Sequence, residues 1–155
     1  MTIEIGQKAP EFTLTASNGE IVSLADFRGK NVVLYFYPKD MTPGCITQAC
    51  DFRDAHESFA EVNAVILGVS TDPLNKHKKF IDKYHLPFLL LVDDAHQVAE
   101  KYGVWQLKKN FGKEYMGIER STFIINEEGV LIKEWRKVRV AGHVEEALEY
   151  LKNRK

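Results

Sequence analysis

The chain is 155 residues long, 45% hydrophobic, 28% charged and 11% aromatic, with a formal net charge of −1. That length supports one self-sufficient domain over residues 1–155, and the composition excludes a disordered, collagen-like or cystine-scaffold protein. The balanced charge gives no reason to expect nucleic acid or an anionic membrane as partner.

The N-terminal segment, residues 1–8, places Glu4 where a secretory leader needs an apolar run. The longest apolar stretches, residues 32–37 and 87–92, fall far short of the roughly 20 residues that cross a bilayer. The expectation is a cytoplasmic protein. Residues 12–15 and 21–23 read as a hairpin around Ser17-Asn18-Gly19. Residues 31–37 are an unbroken β-branched and aromatic run, the mark of a strand covered on both faces, and Pro38 ends it.

From 42 to 61 the pattern is helical, with Ile46, Ala49, Phe52 and Phe59 recurring at helical spacing, Thr42 as N-cap and Pro43 in the first turn. Residues 64–70 form the next strand. Asp72 should cap a helix that starts at Pro73 and reaches Tyr84. A strand over 88–92 leads to a short helix capped by Asp94 and closed by Gly103. Residues 104–119 read as a long loop. Residues 121–125 and 130–135 make a hairpin around Asn126-Glu127-Glu128-Gly129, and a last helix spans 143–152. This order predicts an α/β three-layer sandwich: a mixed sheet flanked by helices, with an N-terminal β-hairpin. Phe52, Phe59, Phe80 and Trp135 are expected in its core.

The two cysteines, Cys45 and Cys50, lie in one short segment. In a reducing compartment such a pair is more often catalytic, redox-active or metal-binding than structural. Cys45 falls in the first turn of a helix that follows a buried strand, where orphan N–H groups and the positive end of the helix dipole favour a thiolate. Bringing a thiol from about 8.5 to about 6 takes roughly 3.4 kcal/mol. The dipole supplies about 2 kcal/mol at most, so a reactive Cys45 needs a further cation. Cys50 is five residues on, which in an intact helix separates the Cα atoms by about 8–9 Å. A disulfide tolerates at most about 7 Å. The pair can bond only if the helix start unwinds.

Pro38-Lys39-Asp40-Met41-Thr42-Pro43-Gly44-Cys45 matches the Pro-x-x-x-Thr-x-x-Cys motif of the peroxiredoxins. With Tyr35-Phe36-Tyr37 before it and Gln48-Ala49-Cys50 after it, the segment resembles the bacterioferritin comigratory protein, or peroxiredoxin Q, subfamily. The resemblance extends through Gly6-Gln7-Lys8-Ala9-Pro10, Gly103-Val104-Trp105 and Gly117-Ile118-Glu119-Arg120. It implies a thioredoxin-like fold and a thiol peroxidase without cofactor or metal. Cys45 would be the peroxidatic cysteine and Cys50 the resolving one. Thr42 would face the thiolate and the peroxide, Pro38 would shield the sulfur, and Arg120 would be the missing cation. Arg120, Thr42 and the backbone near Gly44 would bind the peroxide. Hydrogen peroxide and alkyl hydroperoxides are the implied substrates, thioredoxin the implied reductant, and a monomer the implied state. Ile46 departs from the Thr usual after this cysteine.

Other readings stand beside it. A protein dithiol–disulfide oxidoreductase would carry Cys-x-x-Cys and a proline before the late strand, whereas the spacer here has four residues and Glu119-Arg120-Ser121-Thr122 holds no proline. A peroxide sensor would use the same Cys45 chemistry. A zinc module could draw on Cys45, Cys50 and His56 but lacks a fourth ligand at usual spacing. His77, His85, His96 and His143 are scattered, Trp105 reads as packing beside the site, and Lys108-Lys109 and Arg136-Lys137 read as solvated surface.

Overall fold

The computed structural model describes residues 3–154; Met1 and Thr2, which begin the segment weighed above as a leader, lie outside them. Strands β1 (Thr13–Ala16) and β2 (Ile21–Ser23) form the N-terminal hairpin, followed by a 3-10 turn over Leu24–Phe27. Then come β3 (Asn31–Phe36), α1 (Pro43–Asp54), α2 (His56–Glu61), β4 (Ala64–Ser70), α3 (Leu74–Tyr84), β5 (Leu89–Val92) and α4 (Gln97–Lys101). Strands β6 (Trp105–Asn110), β7 (Lys113–Ile118), β8 (Ser121–Ile125) and β9 (Leu131–Arg136) precede α5 (His143–Lys152).

The described residues build one seven-stranded sheet in the order β2-β1-β5-β4-β3-β8-β9. Strands β3, β4 and β5 are parallel neighbours, while β1, β8 and β9 run antiparallel to theirs. Crossovers β3-to-β4 and β4-to-β5 step in the same direction, so right-handedness puts α1, α2 and α3 on one face. Helix α5 joins them there. Val33, Tyr35 and Tyr37 meet Phe52, Phe59, Phe80 and Leu148 in that layer. On the opposite face Val32, Leu34 and Phe36 pack under Phe12, Leu24, Val98 and Tyr102. Both faces of β3 are therefore dry, which explains its unbroken apolar run. The thioredoxin-like mixed sheet is as expected.

Five local details differ from the sequence reading. The helix over 42–61 divides at Ala55, whose φ of −97° and ψ of 3° separate α1 from α2. Asp72 does not cap α3; Pro73 holds the cap position, and the Asp72 carboxylate instead accepts from the Asp40 N–H at 2.7 Å and the Ser70 hydroxyl at 2.7 Å. Asp94 does not cap α4; His96 holds the cap position, and the Asp93 carboxylate accepts from the Val98 and Ala99 N–H groups at 3.1 and 2.8 Å. The expected long loop is a two-stranded ribbon, β6 against β7, closed by Phe111 and Gly112 with φ of 52° and 78°. Two positive φ values make the turn that suits the twist of a tight hairpin. Trp135 is half-buried rather than fully in the core.

Candidate active site

Strand β3 ends in the middle of the sheet, and its chain turns through residues 37–42 into α1. Thr42 takes the N-cap position with ψ of 150°, yet its hydroxyl makes no cap bond and donates to the Lys39 carbonyl at 2.8 Å. Pro43, Gly44 and Cys45 are the first three helical residues, and no acid lies in that first turn. The Gly44 and Cys45 N–H groups there have no carbonyl a turn earlier to bond. Cys45 is 2% exposed.

Arg120 sits between β7 and β8, with its backbone carbonyl held by the Val138 N–H at 2.9 Å. From there it reaches across the sheet end to α1. Its Nη2 donates to Cys45 Sγ at 3.5 Å, and its Nη1 donates to Gln48 Oε1 at 2.6 Å. Gln48 is fully buried, and its Nε2 finds no partner among the described residues. A neutral amide aims the guanidinium without cancelling its charge, which a carboxylate at 48 would do. A Cβ on Gly44 would lie 3.1 Å from Arg120 Nη2, so the absent side chain leaves room for the guanidinium.

Cys50 is half-buried in the same continuous helix, and both thiols are free. Helix geometry holds their Cα atoms about 8–9 Å apart. Pro38, Thr42, Gly44, Cys45 and Arg120 thus come from one loop, one helix start and one strand entrance at the carboxyl end of β3, while Cys50 lies further along α1. Cys45, Cys50 and His56 do not assemble into a metal-binding group.

The AhpC/TSA family matches residues 5–134. Peroxiredoxin Bcp of Bacillus subtilis (strain 168) is 69% identical over 153 residues, covering 99% of this chain and 98% of the relative. The chain belongs to the AhpC/TSA peroxiredoxins. Peroxiredoxin Bcp of Escherichia coli (strain K12) is 41% identical, over 97% of this chain and 96% of its own. The crystal structure of a cysteine-to-serine mutant of Xylella fastidiosa PrxQ superposes with a TM-score of 0.93 at 34% identity, over 99% of this chain and 98% of that one. A structure of Xanthomonas campestris bacterioferritin comigratory protein, described in connection with its alkyl peroxide reduction activity, gives 0.88 at 39% identity over 92% and 90%. These neighbours make the chain a thiol peroxidase of the Bcp/PrxQ type with a thioredoxin-like fold.

A cleft of about 520 Å³ opens beside Thr42 in this peroxiredoxin, lined also by Pro38, Lys39, Trp105, Lys108 and Tyr115. Trp105 stacks on His96 with ring centroids 4.2 Å apart and borders the cleft as expected. Lys108 does not belong to the solvated surface. It is half-buried on the ribbon side facing the cleft, and burial followed by the Arg120 guanidinium lowers the pKa of its ammonium. Lys109, on the other ribbon face, is solvated.

Sequence reasoning missed a buried polar cluster under the loop. Asp40, Asp72, Ser70 and His77 are all buried there, and Tyr37 joins them from just past the end of β3. Burial, then Asp40, pushes the Tyr37 hydroxyl well above its usual range. Tyr35 lies beside the cysteines with its hydroxyl unpartnered among the described residues, and burial followed by Cys45 pushes it up as well. Asp40 adjoins the motif in sequence; His77, 37 residues on, carries no local signal of the contact.

Proposed function

We propose that this chain is an atypical two-cysteine peroxiredoxin that reduces hydrogen peroxide and organic hydroperoxides and is recycled by thioredoxin. The Cys45 thiolate attacks one peroxide oxygen, the O–O bond breaks, and the other oxygen leaves with a proton as water or alcohol. The sulfur becomes a sulfenic acid, oxidised by two electrons. Arg120 and the N–H groups of Gly44 and Cys45 hold the peroxide and stabilise charge developing on the leaving oxygen, Thr42 orients it, and Pro38 shields the sulfur. The carrying observation is Arg120 Nη2 at 3.5 Å from Cys45 Sγ, with Nη1 fixed by Gln48. It supplies the cation that thiolate chemistry at this helix start requires.

Cys50 then attacks the sulfenic sulfur, hydroxide departs as water, and a disulfide forms. A thioredoxin-type dithiol reduces it by two successive thiol exchanges. The intact α1 separates the two sulfurs, so resolution includes unwinding of its first turns. The enzyme acts as one domain, a monomer in the cytoplasm.

The test is peroxide consumption with thioredoxin, its reductase and NADPH, together with intact mass after one equivalent of peroxide. Wild-type protein should turn over and lose two hydrogens. Cys45→Ser should be inactive, and Cys50→Ser should gain one oxygen without cycling. Turnover by Cys45→Ser, or none by wild type, would sink the assignment.

A further inference from the structure

Residues 37–42 have to deliver Thr42 and the start of α1 in one conformation, although Met41 sits at φ 65°, a left-handed value that costs a non-glycine residue of order 1 kcal/mol. Asp40, the residue before it, has a fully buried side chain. Its Oδ1 accepts from the Tyr37 hydroxyl and its Oδ2 lies 2.6 Å from His77 Nδ1. Its N–H donates to Asp72, which also accepts from Ser70 at the end of β4. His77, on α3 and fully buried, places Nε2 2.8 Å from the Leu91 carbonyl of β5.

That carbonyl can only accept, so Nε2 carries a hydrogen. One proton must then lie in the contact between Nδ1 and Oδ2, as imidazolium with carboxylate or as imidazole with carboxylic acid. Either form is neutral overall and hydrogen-bonded, which lets the pair stay buried. The active-site turn is thereby tied to β4, α3 and β5, and no member of the cluster lines the peroxide cleft. The turn leads directly into the first residues of α1, the ones that must unwind before Cys50 reaches Cys45.

We propose that His77, acting through Asp40, is a positioning residue of the peroxidase: the closed pair holds the turn for attack on peroxide, and its opening permits resolution. This rests on the roles proposed for Cys45 and Cys50. It requires the two half-reactions to respond in opposite directions, which general loss of stability does not require.

Stopped-flow tryptophan fluorescence with quenched-flow mass analysis reads both rate constants. Asp40→Ala and His77→Leu should each slow Cys45 oxidation about tenfold and accelerate conversion of the sulfenic acid to the disulfide several-fold. Asp40→Asn should stay within about twofold of wild type, because its amide can donate to Nδ1 while its oxygen still accepts from Tyr37. The double variant Asp40→Ala with His77→Leu should match either single one. Tyr37→Phe, which keeps the ring packing, should likewise slow Cys45 oxidation and accelerate disulfide formation, each by a smaller factor, and decides the matter if the larger changes prevent folding. Both rates falling together, neither moving, or Asp40→Asn behaving like Asp40→Ala would overturn the proposal. Wild-type protein that oxidises without forming the disulfide would overturn the cysteine roles instead.

Discussion

Arg120 touches both Cys45 and Gln48 and passes over Gly44, so the first turn of α1 and the guanidinium share one small volume. Gly44→Ala tests that crowding. The new Cβ would press on Nη2, the end of a flexible side chain, which can move by a few tenths of an ångström at little cost to the fold. Alanine is also the better helix former, by about 0.5–1 kcal/mol in a helix interior. The melting temperature should therefore stay level or rise, while displacement of the guanidinium slows oxidation of Cys45. Thermal unfolding and stopped-flow kinetics on one sample check both signs. Loss of stability with unchanged kinetics would refute the argument.

The central parallel strands pack without slack around Gly68. Gly68 of β4 lies between Tyr35 of β3 and Leu90 of β5, and a Cβ there would fall 2.7 Å from Leu90 Cδ2 and 2.9 Å from Tyr35 Cζ. Tyr35 cannot yield, because its ring stacks on Phe52 at 4.6 Å and against Tyr37 at 5.4 Å. Gly68→Ala should destabilise the protein by about 1–3 kcal/mol through overpacking. Urea denaturation measures it, and an unchanged midpoint would contradict the packing described. The β6–β7 ribbon is looser: a Cβ on Gly117 would lie 3.3 Å from Cδ of the flexible Lys108 side chain. Phe111 at its tip is 97% exposed, and the ribbon contributes to the site through the side chains on its cleft-facing side.

Across the molecule, His143 links the last helix to strand β8. It begins α5, is 3% exposed, and its Nε2 lies 2.8 Å from Thr122 Oγ1 on β8. Burial lowers its pKa below the usual 6.5, with Arg120 adding to the effect and Glu146 opposing it. Below about pH 6.5 the unfolded chain binds a proton that the folded protein resists. The contribution of this residue to stability is therefore complete above that pH and is lost as pH falls toward the folded value, by at most about 1.4 kcal/mol per pH unit. His143→Gln should flatten the dependence of the urea midpoint between about pH 7 and pH 5. An unaltered slope would mean that His143 is not the responsible group.

Local information was enough for much of this protein. Hydrophobic period and turn residues set the order of elements, because each depends on neighbours within a few positions; the run through β3 already implied a strand dry on both faces. The segment holding Pro38, Thr42, Cys45 and Cys50 was legible for the same reason, and helix geometry alone gave the distance problem between the cysteines. The ribbon was not, since Gln106, Lys108, Lys109 and Asn110 are poor strand formers and Phe111 is an unusual turn residue. Nor were the partners of Asp40, the cleft-facing side of Lys108, or the buried amide of Gln48. These depend on which groups meet across 32 to 72 positions of chain, and meeting is decided by sheet order, crossover hand and packing. Arg120 stands between the two cases: the need for a cation followed from the chemistry of Cys45, but only the tertiary structure could bring one within 3.5 Å.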